Sequence, residues 1–278
     1  CVVPYTRGPE YSRPFKQILV EAKYLADTGT QEMILLGQNV NAYNNEKYRL
    51  SDLILEIEKF SGIKRIRYTT SHPKDMTEDL INAHQNCSKL MPLLHLPVQS
   101  GSSKILKNMN RKHTVDFFLK IIDRLRKKNP LIEFSSDFII AYPSEDDYDF
   151  NNTLSLMKKV KFINSYSFIY SARPGTPAAK LKNIDIDVAK KRLKEFQDLS
   201  DAIKNEYRKN LVNKKTKVLF ENKVKNKNKY FGRDEYNNSV IVESNIDLTG
   251  KIKNITIKQF NHNTLFGKIE IKDKNIAA

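Results

Sequence analysis

The chain has 278 residues, 48 Lys and Arg against 32 Asp and Glu for a formal net charge of +16, and 40% hydrophobic residues. This is enough to build a core in one large domain plus a small one; it excludes wholesale disorder, and the basic balance points to acidic partners. No run approaches the ~18 uncharged apolar residues of a membrane span, and two cysteines, Cys1 and Cys87, make neither a disulfide framework nor a structural zinc site, so the composition predicts a cytoplasmic protein that does not enter a membrane.

The start at Cys1, with Val2-Val3-Pro4 directly after it, reads as a piece of a longer protein, so a ligand set that includes Cys1 has members upstream. Helical period first occurs at Ile18, Leu19, Ala22, Leu25 and Ala26, and a short apolar run, Met33 to Leu36, follows as a buried strand. Ser51 is the expected N-cap of a second helix carrying Leu53, Ile54, Ile57 and Phe60, and Ile66 to Thr70 is the next strand. Leu93 to Leu96 is a third strand; a helix capped by Thr114 carries Val115, Phe118, Leu119, Ile122 and Leu125; Phe134 to Ile140 and Tyr166 to Tyr170 complete the strands. Strand and helix alternate at least five times, which predicts an α/β fold with a parallel sheet, open or curled toward a barrel, and directs attention to the loops after the strands.

A long amphipathic segment from Val188 to Leu211 predicts a closing helix. Beyond residue 212 the period changes to short alternating runs: Lys217 to Phe220, Ser239 to Val242, Ile252 to Ile257 and Leu265 to Ile269. These predict a small all-β barrel. Residues 205–278 hold 16 Lys and Arg against 8 Asp and Glu, half of the chain's excess charge. Lys223, Lys225, Lys227 and Lys229, interleaved with Phe220, Tyr230 and Phe231, suit phosphate neutralisation and base stacking, and equally suit a solvated lysine-rich surface.

Four strand ends carry polar residues that a packed sheet does not need: Gly37-Gln38-Asn39-Val40-Asn41, Thr69-Thr70-Ser71-His72-Pro73, Leu96 to Ser102 with Gln99 and Ser100, and Ser135-Ser136-Asp137. Emerging from successive strands, these amides, hydroxyls and carboxylate are expected to converge on one polar ligand.

Together with Cys1 to Gly8 and Ser12-Arg13-Pro14, these segments and Tyr166 to Ala179 resemble, in order and over nearly the whole chain, the radical S-adenosylmethionine methylthiotransferases, the match beginning at the third cysteine of that family's Cys-x-x-x-Cys-x-x-Cys loop. Leu96 to Ser102 and Ser171 to Ala179 look most like the branch that acts on isopentenylated adenosine beside the tRNA anticodon. The resemblance implies an incomplete parallel (β/α) radical-SAM barrel, residues 1–211, lacking its first strand. It also implies a TRAM-like RNA-binding β-barrel, residues 212–273, and an upstream methylthiotransferase domain, absent here, with an auxiliary 4Fe-4S cluster.

In that family three thiolates hold a 4Fe-4S cluster whose open iron chelates S-adenosylmethionine, and the radical formed on its reduction abstracts hydrogen from carbon 2 of adenine before sulfur is inserted. The resemblance makes Cys1 the third cluster ligand and places Gln38 and Asn39 at the methionine end of the cofactor. Gln99, Ser100 and Asp137 become ribose and carboxylate partners, while Arg7, Arg13 and Arg173 face phosphate, each with a surface ion pair as the alternative. It implies tRNA and a reductant protein as partners. A sister enzyme acting on threonylcarbamoyl-adenosine or a ribosomal protein, and a non-catalytic RNA-binding remnant, remain open as alternatives. Cys87 matches no cluster motif and reads as an ordinary free thiol. Ala141-Tyr142-Pro143-Ser144-Glu145 stands where the family usually has Gly-Phe-Pro-Gly-Glu, and Ala and Ser replace glycine there only at a conformational cost.

Overall fold

The computed structural model describes residues 8–225 and 227–270, so Cys1 and Arg7 lie outside the described residues. The chain divides into two compact units, Cys1–Ile203 and Lys204–Ala278. No helix among the described residues is long and apolar enough to cross a membrane.

In the first unit, α1 (Phe15–Asp27) leads to β1 (Glu32–Leu35), a two-residue hairpin of β2 (Asn44–Asn45) and β3 (Tyr48–Arg49), α2 (Leu50–Glu58) and β4 (Arg65–Tyr68). Then follow α3 (Glu78–Asn86), β5 (Leu93–His95), α4 (Ser103–Asn108), α5 (Val115–Lys128), β6 (Glu133–Ile140), α6 (Asp147–Val160), β7 (Asn164–Ile169) and the long α7 (Ile186–Leu211). β1 pairs with β4 in parallel, Glu32 opposite Arg65 and Leu35 opposite Tyr68. β5, β6 and β7 form a second parallel sheet. A parallel bridge between Ile66 and Leu90 links β4 to the chain just ahead of β5. The strands therefore follow one another in chain order, the arrangement that right-handed βαβ units impose.

The period-2 alternation of β6 sorts its side chains cleanly. Phe134, Ser136, Phe138 and Ile140 are fully buried toward the helices, where Phe138 meets Phe162 at 5.5 Å and Phe196 of α7 at 4.8 Å between ring centroids. Ser135, Asp137 and Ile139 take the opposite face. Five expected strands and the first, second, α5 and closing helices are present; α3, α4 and α6 are additional. Thr114 caps α5 as expected, accepting from Phe117 N–H at 3.2 Å. Ser51 does not cap α2: Arg49 holds that position, its N–H donating to Asp52 at 2.7 Å, while Ser51 lies buried inside the helix and donates to Asp79.

The second unit closes five strands into a barrel: β8 (Lys215–Lys223), β9 (Lys229–Arg233), β10 (Ser239–Glu243), β11 (Ile252–Phe260) and β12 (Thr264–Ile269), in the order β10-β12-β11-β8-β9 with β9 antiparallel to β10. Val218, Phe220, Tyr230, Val240, Val242, Ile255, Ile257 and Leu265 fill its interior. Gly232 has no room for a side chain, since a Cβ there would lie 2.3 Å from the Leu219 carbonyl oxygen. Helical residues 204–211 belong to this unit, ahead of the change of period at 212. The reason is side-chain pairing: Tyr207 meets Tyr236, Arg208 donates to the carbonyls of Asn261 and His262, and Leu211 packs on the barrel core.

Candidate functional site

Four non-glycine residues with left-handed backbone stand at the C-terminal ends of three successive parallel strands: Thr70 (φ 65°) after β4, Gln99 (φ 77°) after β5, and Ala141 (φ 58°) and Ser144 (φ 76°) after β6. Each conformation costs on the order of 1 kcal/mol, most awkwardly for β-branched Thr70, so the surroundings must enforce it. Thr70 donates its hydroxyl to the Gly37 carbonyl and accepts Val40 N–H at 3.0 Å through its own carbonyl. Gln99 N–H donates to the Asp137 carbonyl and Ile139 N–H to the Gln99 carbonyl, both at 3.0 Å. Ala141 N–H donates to Glu145 Oε1 at 3.0 Å, and Ser144 Oγ accepts from Asn108 at 2.9 Å. Ala and Ser thus occupy the glycine positions of the turn in the glycine conformation, at the cost the sequence implies.

The expected polar residues form two groups. Gln38, Asn39 and Arg13 line a cavity of about 610 Å³ walled by α1 and β1. Asn39 donates to Asp75 Oδ2 at 2.8 Å, while its buried Oδ1 has no partner among the described residues. Arg13 is paired with Glu21 at 2.5 Å, both half exposed. Thr70, Gln99 and Asp137 do not line this cavity. Gln99 and Asp137 form the second group with His95, whose Nε2 lies 3.5 Å from Asp137 Oδ2 and whose Nδ1 lies 2.9 Å from Ser135 Oγ.

Arg111 stands within electrostatic reach of Asp137 in the second group. Its Nη2 donates to the Pro97 carbonyl at 3.0 Å, and its buried Nε has no partner among the described residues. Burial lowers its pKa to about 10 against the opposing pull of Asp137. Burial first and Arg111 second hold His72 down to about 3 and His113 down to about 4, so both imidazoles, 5.4 Å apart edge to face, are neutral at pH 7. Sequence reasoning missed Arg111 and His113 and gave no role of their own to His95 and Glu145. For His95 the signal was available: it is the polar residue that ends the otherwise apolar run Leu93-Leu94, on the face opposite buried Leu94.

Ser100 is 1% exposed, and its Oγ accepts Ser102 N–H at 3.1 Å and lies 3.4 Å from Thr153 Oγ1, so it fastens its loop to α6. Arg173 is exposed on the loop after β7.

In the second unit Lys223, Lys225 and Lys227 line one hollow at the β8–β9 turn with Val224 and Asn228. Lys229 is paired with Glu243 at 3.1 Å. Phe220 and Tyr230 are barrel core, which removes them as stacking faces. Phe231 points outward, half buried, with the Arg233 guanidinium 5.4 Å from its ring centre.

The donor set bears on cofactors in two ways. Buried polar atoms without partners, Asn39 Oδ1, Ser71 Oγ and Arg111 Nε, are a polar surplus that fits a small polar ligand at the strand ends. Among the described residues no three His, Cys, Asp or Glu side chains gather to hold a metal. Cys87 is buried, and burial and the neighbouring Glu58 push its thiol up to about 11, leaving it without the thiolate that iron requires. The described residues alone therefore do not fit an iron–sulfur cluster; its expected ligand, Cys1, lies outside them.

Comparison with known proteins adds three facts. The family model described as the Radical SAM superfamily matches residues 1–157. A tRNA-2-methylthio-N(6)-dimethylallyladenosine synthase from Pelagibacter ubique is 57% identical, the match covering 100% of this chain and 63% of the relative; one from a Wolbachia of Culex pipiens is 49% identical over 96% of this chain and 62% of its own length. The chain thus spans less than two thirds of these relatives. Among solved structures, methylornithine synthase aligns with a TM-score of 0.47 and 12% identity over 68% of this chain and 54% of its own.

Proposed function

Since the chain belongs to the radical S-adenosylmethionine superfamily, we propose that it is the cofactor- and tRNA-binding portion of a methylthiotransferase that adds a methylthio group to carbon 2 of isopentenylated adenosine beside the anticodon. The observation that carries this reading is the 57% identity, along the entire chain, to an enzyme of that name. The strained ends of β4, β5 and β6 agree with it, because strain is retained where a ligand needs a fixed backbone.

In this reading the strands β1, β4, β5, β6 and β7 form part of a (β/α) barrel and the five-stranded barrel is a TRAM-like RNA-binding domain. S-adenosylmethionine is held at the strand ends. Gln38 and Asn39 bind its methionine end, Gln99 its ribose and the Ala141 to Glu145 turn its adenine, while the Asp137 carboxylate faces His95 instead of the ribose. Cys1, with two upstream cysteines, ligates the 4Fe-4S cluster, and the auxiliary 4Fe-4S cluster belongs to an upstream domain. Cluster and S-adenosylmethionine together supply one-electron carbon-radical chemistry. The chain's own residues bind and orient, and they keep water out of the reacting space. Arg7, Arg13 and Arg173 take phosphate at the opening, although the Arg13–Glu21 pair must open to do so. Lys223, Lys225, Lys227, Lys229 and Phe231 hold the rest of the tRNA. Its partners are tRNA and a reductant protein, in the cytoplasm.

The test is an upstream-extended protein, loaded with iron, sulfide and S-adenosylmethionine under a reductant, incubated with tRNA carrying isopentenyladenosine. Nucleoside mass spectrometry should detect the 2-methylthio product. Its absence from a fully loaded protein, or its appearance only on threonylcarbamoyl-adenosine, overturns the substrate assignment.

A further inference from the structure

The opposite faces of β7 are unlike. Ser165 lies 3.7 Å from Met157 Sδ of α6 and Ile169 packs on the helix-side core, whereas Tyr166 and Phe168, at alternate positions, project the other way and are 54% and 61% exposed. Two large aromatic rings so exposed, side by side on one strand, add little to the core among the described residues. The register identifies their neighbours: Tyr166 stands opposite Asp137 and Phe168 opposite Ile139 on the same face of β6. The Tyr166 ring meets His95 edge-on at 6.1 Å, and His95 Nε2 is 3.5 Å from Asp137 Oδ2. An aromatic surface thus adjoins a carboxylate and an imidazole, acceptor and donor side by side.

We propose that Tyr166 and Phe168 form the surface on which the substrate's purine base lies, with Asp137 and His95 at the base's polar edge. A flat heteroaromatic ring matches both parts: its face stacks on the two side chains, and its ring nitrogens and exocyclic amine meet the carboxylate and imidazole. Charge selects a nucleic acid over an apolar peptide. The chain carries +16 overall, and Arg173, Lys180 and Lys182 are exposed on the loop that leaves β7, where phosphates flanking a splayed-out base would run. This assignment rests on the tRNA reading above and adds the residues that receive the base.

The experiment uses the whole chain and two anticodon stem-loops, one with fluorescent 2-aminopurine in place of the target adenosine and one abasic there. The unaltered protein should quench 2-aminopurine on binding and prefer the base-containing RNA over the abasic one. Tyr166→Leu with Phe168→Leu should abolish quenching and weaken the base-containing RNA by roughly 5- to 150-fold, the range of a lost base–aromatic stack. Affinity for the abasic RNA should not change, and Tyr166→Phe should keep the quenching. Both side chains lie mostly in solvent, so melting temperature should hold; if the double variant melts early, Phe168→Leu alone carries the test. Retained quenching in the leucine variants places the base elsewhere and overturns this proposal while leaving the tRNA reading intact. Failure of the unaltered chain to bind either RNA overturns both, and leaves this face to a protein substrate.

Discussion

Arg192 of α7 donates one guanidinium nitrogen to both the side-chain Oε1 and the main-chain carbonyl of Glu145, at 3.0 Å each, and its other terminal nitrogen to Asp147 at 2.7 Å. Glu145 Oε1 also takes Ala141 N–H, so one arginine fixes the strained turn after β6 from a helix far along the chain. Both partners of the Arg192–Glu145 pair are buried. Arg192→Met should destabilise the first unit by about 1–3 kcal/mol at pH 8 and by less at pH 6, because Glu145, already raised to about 7, takes up a proton when its partner is lost. Adding Glu145→Gln should recover part of that loss in urea unfolding. Equal stability of Arg192→Met and the unaltered chain would remove the pair from the turn's support.

Ala141 and Ser144 hold left-handed backbone that glycine adopts freely. Ala141→Gly and Ser144→Gly should therefore each raise stability by about 0.5–1 kcal/mol, the reverse of the usual effect of introducing glycine, with relief of steric strain exceeding the added unfolded-state entropy. The change in urea midpoint of each variant checks it, and a fall in both would show the turn to be unstrained.

Acid should weaken the fold. Burial lowers His84 to about 4, His113 to about 4 and His72 to about 3, from an ordinary 6.5. Below pH 6.5 the unfolded chain takes up protons that these folded imidazoles refuse, so stability declines as pH falls from about 6.5 toward 4. Glu145 acts oppositely. Desolvation raises it to about 7, outweighing its hydrogen bonds, so its contribution is present below pH 4.5 and is lost as pH rises through 7. Three imidazoles against two raised carboxyls, Glu145 and the half-buried Glu133, still give a net loss on acidification. Urea midpoints between pH 7.5 and 4.5 should fall with pH and fall less for His84→Gln; a flat profile would contradict the assignment.

Much of this was legible in the sequence, for identifiable reasons. β1, β4, β5, β6 and β7 are apolar, β-rich runs, and α5 announces itself through Thr114 and its apolar stripe. β9 was not legible, because Lys229-Tyr230-Phe231-Gly232-Arg233 has one large inward residue and a glycine between charges. α6 was missed because its cue is polar, Asp146 capped against Asp149 in a reciprocal pair. Ser100 turns toward α6 because the left-handed Gln99 before it breaks the in-out alternation of the strand. Arg111 and His113 come from the loop between α4 and α5, which no strand periodicity points to.

Cluster chemistry gives a further expectation. This chain reconstituted anaerobically with iron and sulfide should stay colourless, since Cys87 is a buried thiol and Cys1 a single thiolate. A protein extended upstream should turn brown and lose most of that absorbance on Cys1→Ala. Full iron content in the extended Cys1→Ala protein would exclude Cys1 as a ligand.

The hollow lined by Lys223, Lys225 and Lys227 should read out as salt dependence. Replacing Lys223, Lys225, Lys227 and Lys229 by Ala should weaken tRNA binding about equally for all tRNAs and make the slope of log K against log salt shallower, since phosphate contacts position RNA without reading its sequence. Phe231→Ala should weaken binding by about 1–3 kcal/mol if a base stacks there. Unchanged affinity of the four-lysine variant at low salt would return these lysines to a solvated surface.

β12 is hydrogen bonded along both edges, antiparallel to β11 and parallel to β10, which precedes it by roughly twenty residues. The hairpins β8–β9, β9–β10 and β11–β12 are made between chain neighbours, whereas β8–β11 and β10–β12 must wait for chain not yet synthesised. During translation the emerging β8–β9–β10 sheet therefore carries two open edges, that of β8 until β11 has emerged and that of β10 until residue 269 has left the ribosome. A message truncated after Glu243 would yield a protein with unpaired strands available to its copies, because the barrel closes only when its last strand pairs with β10.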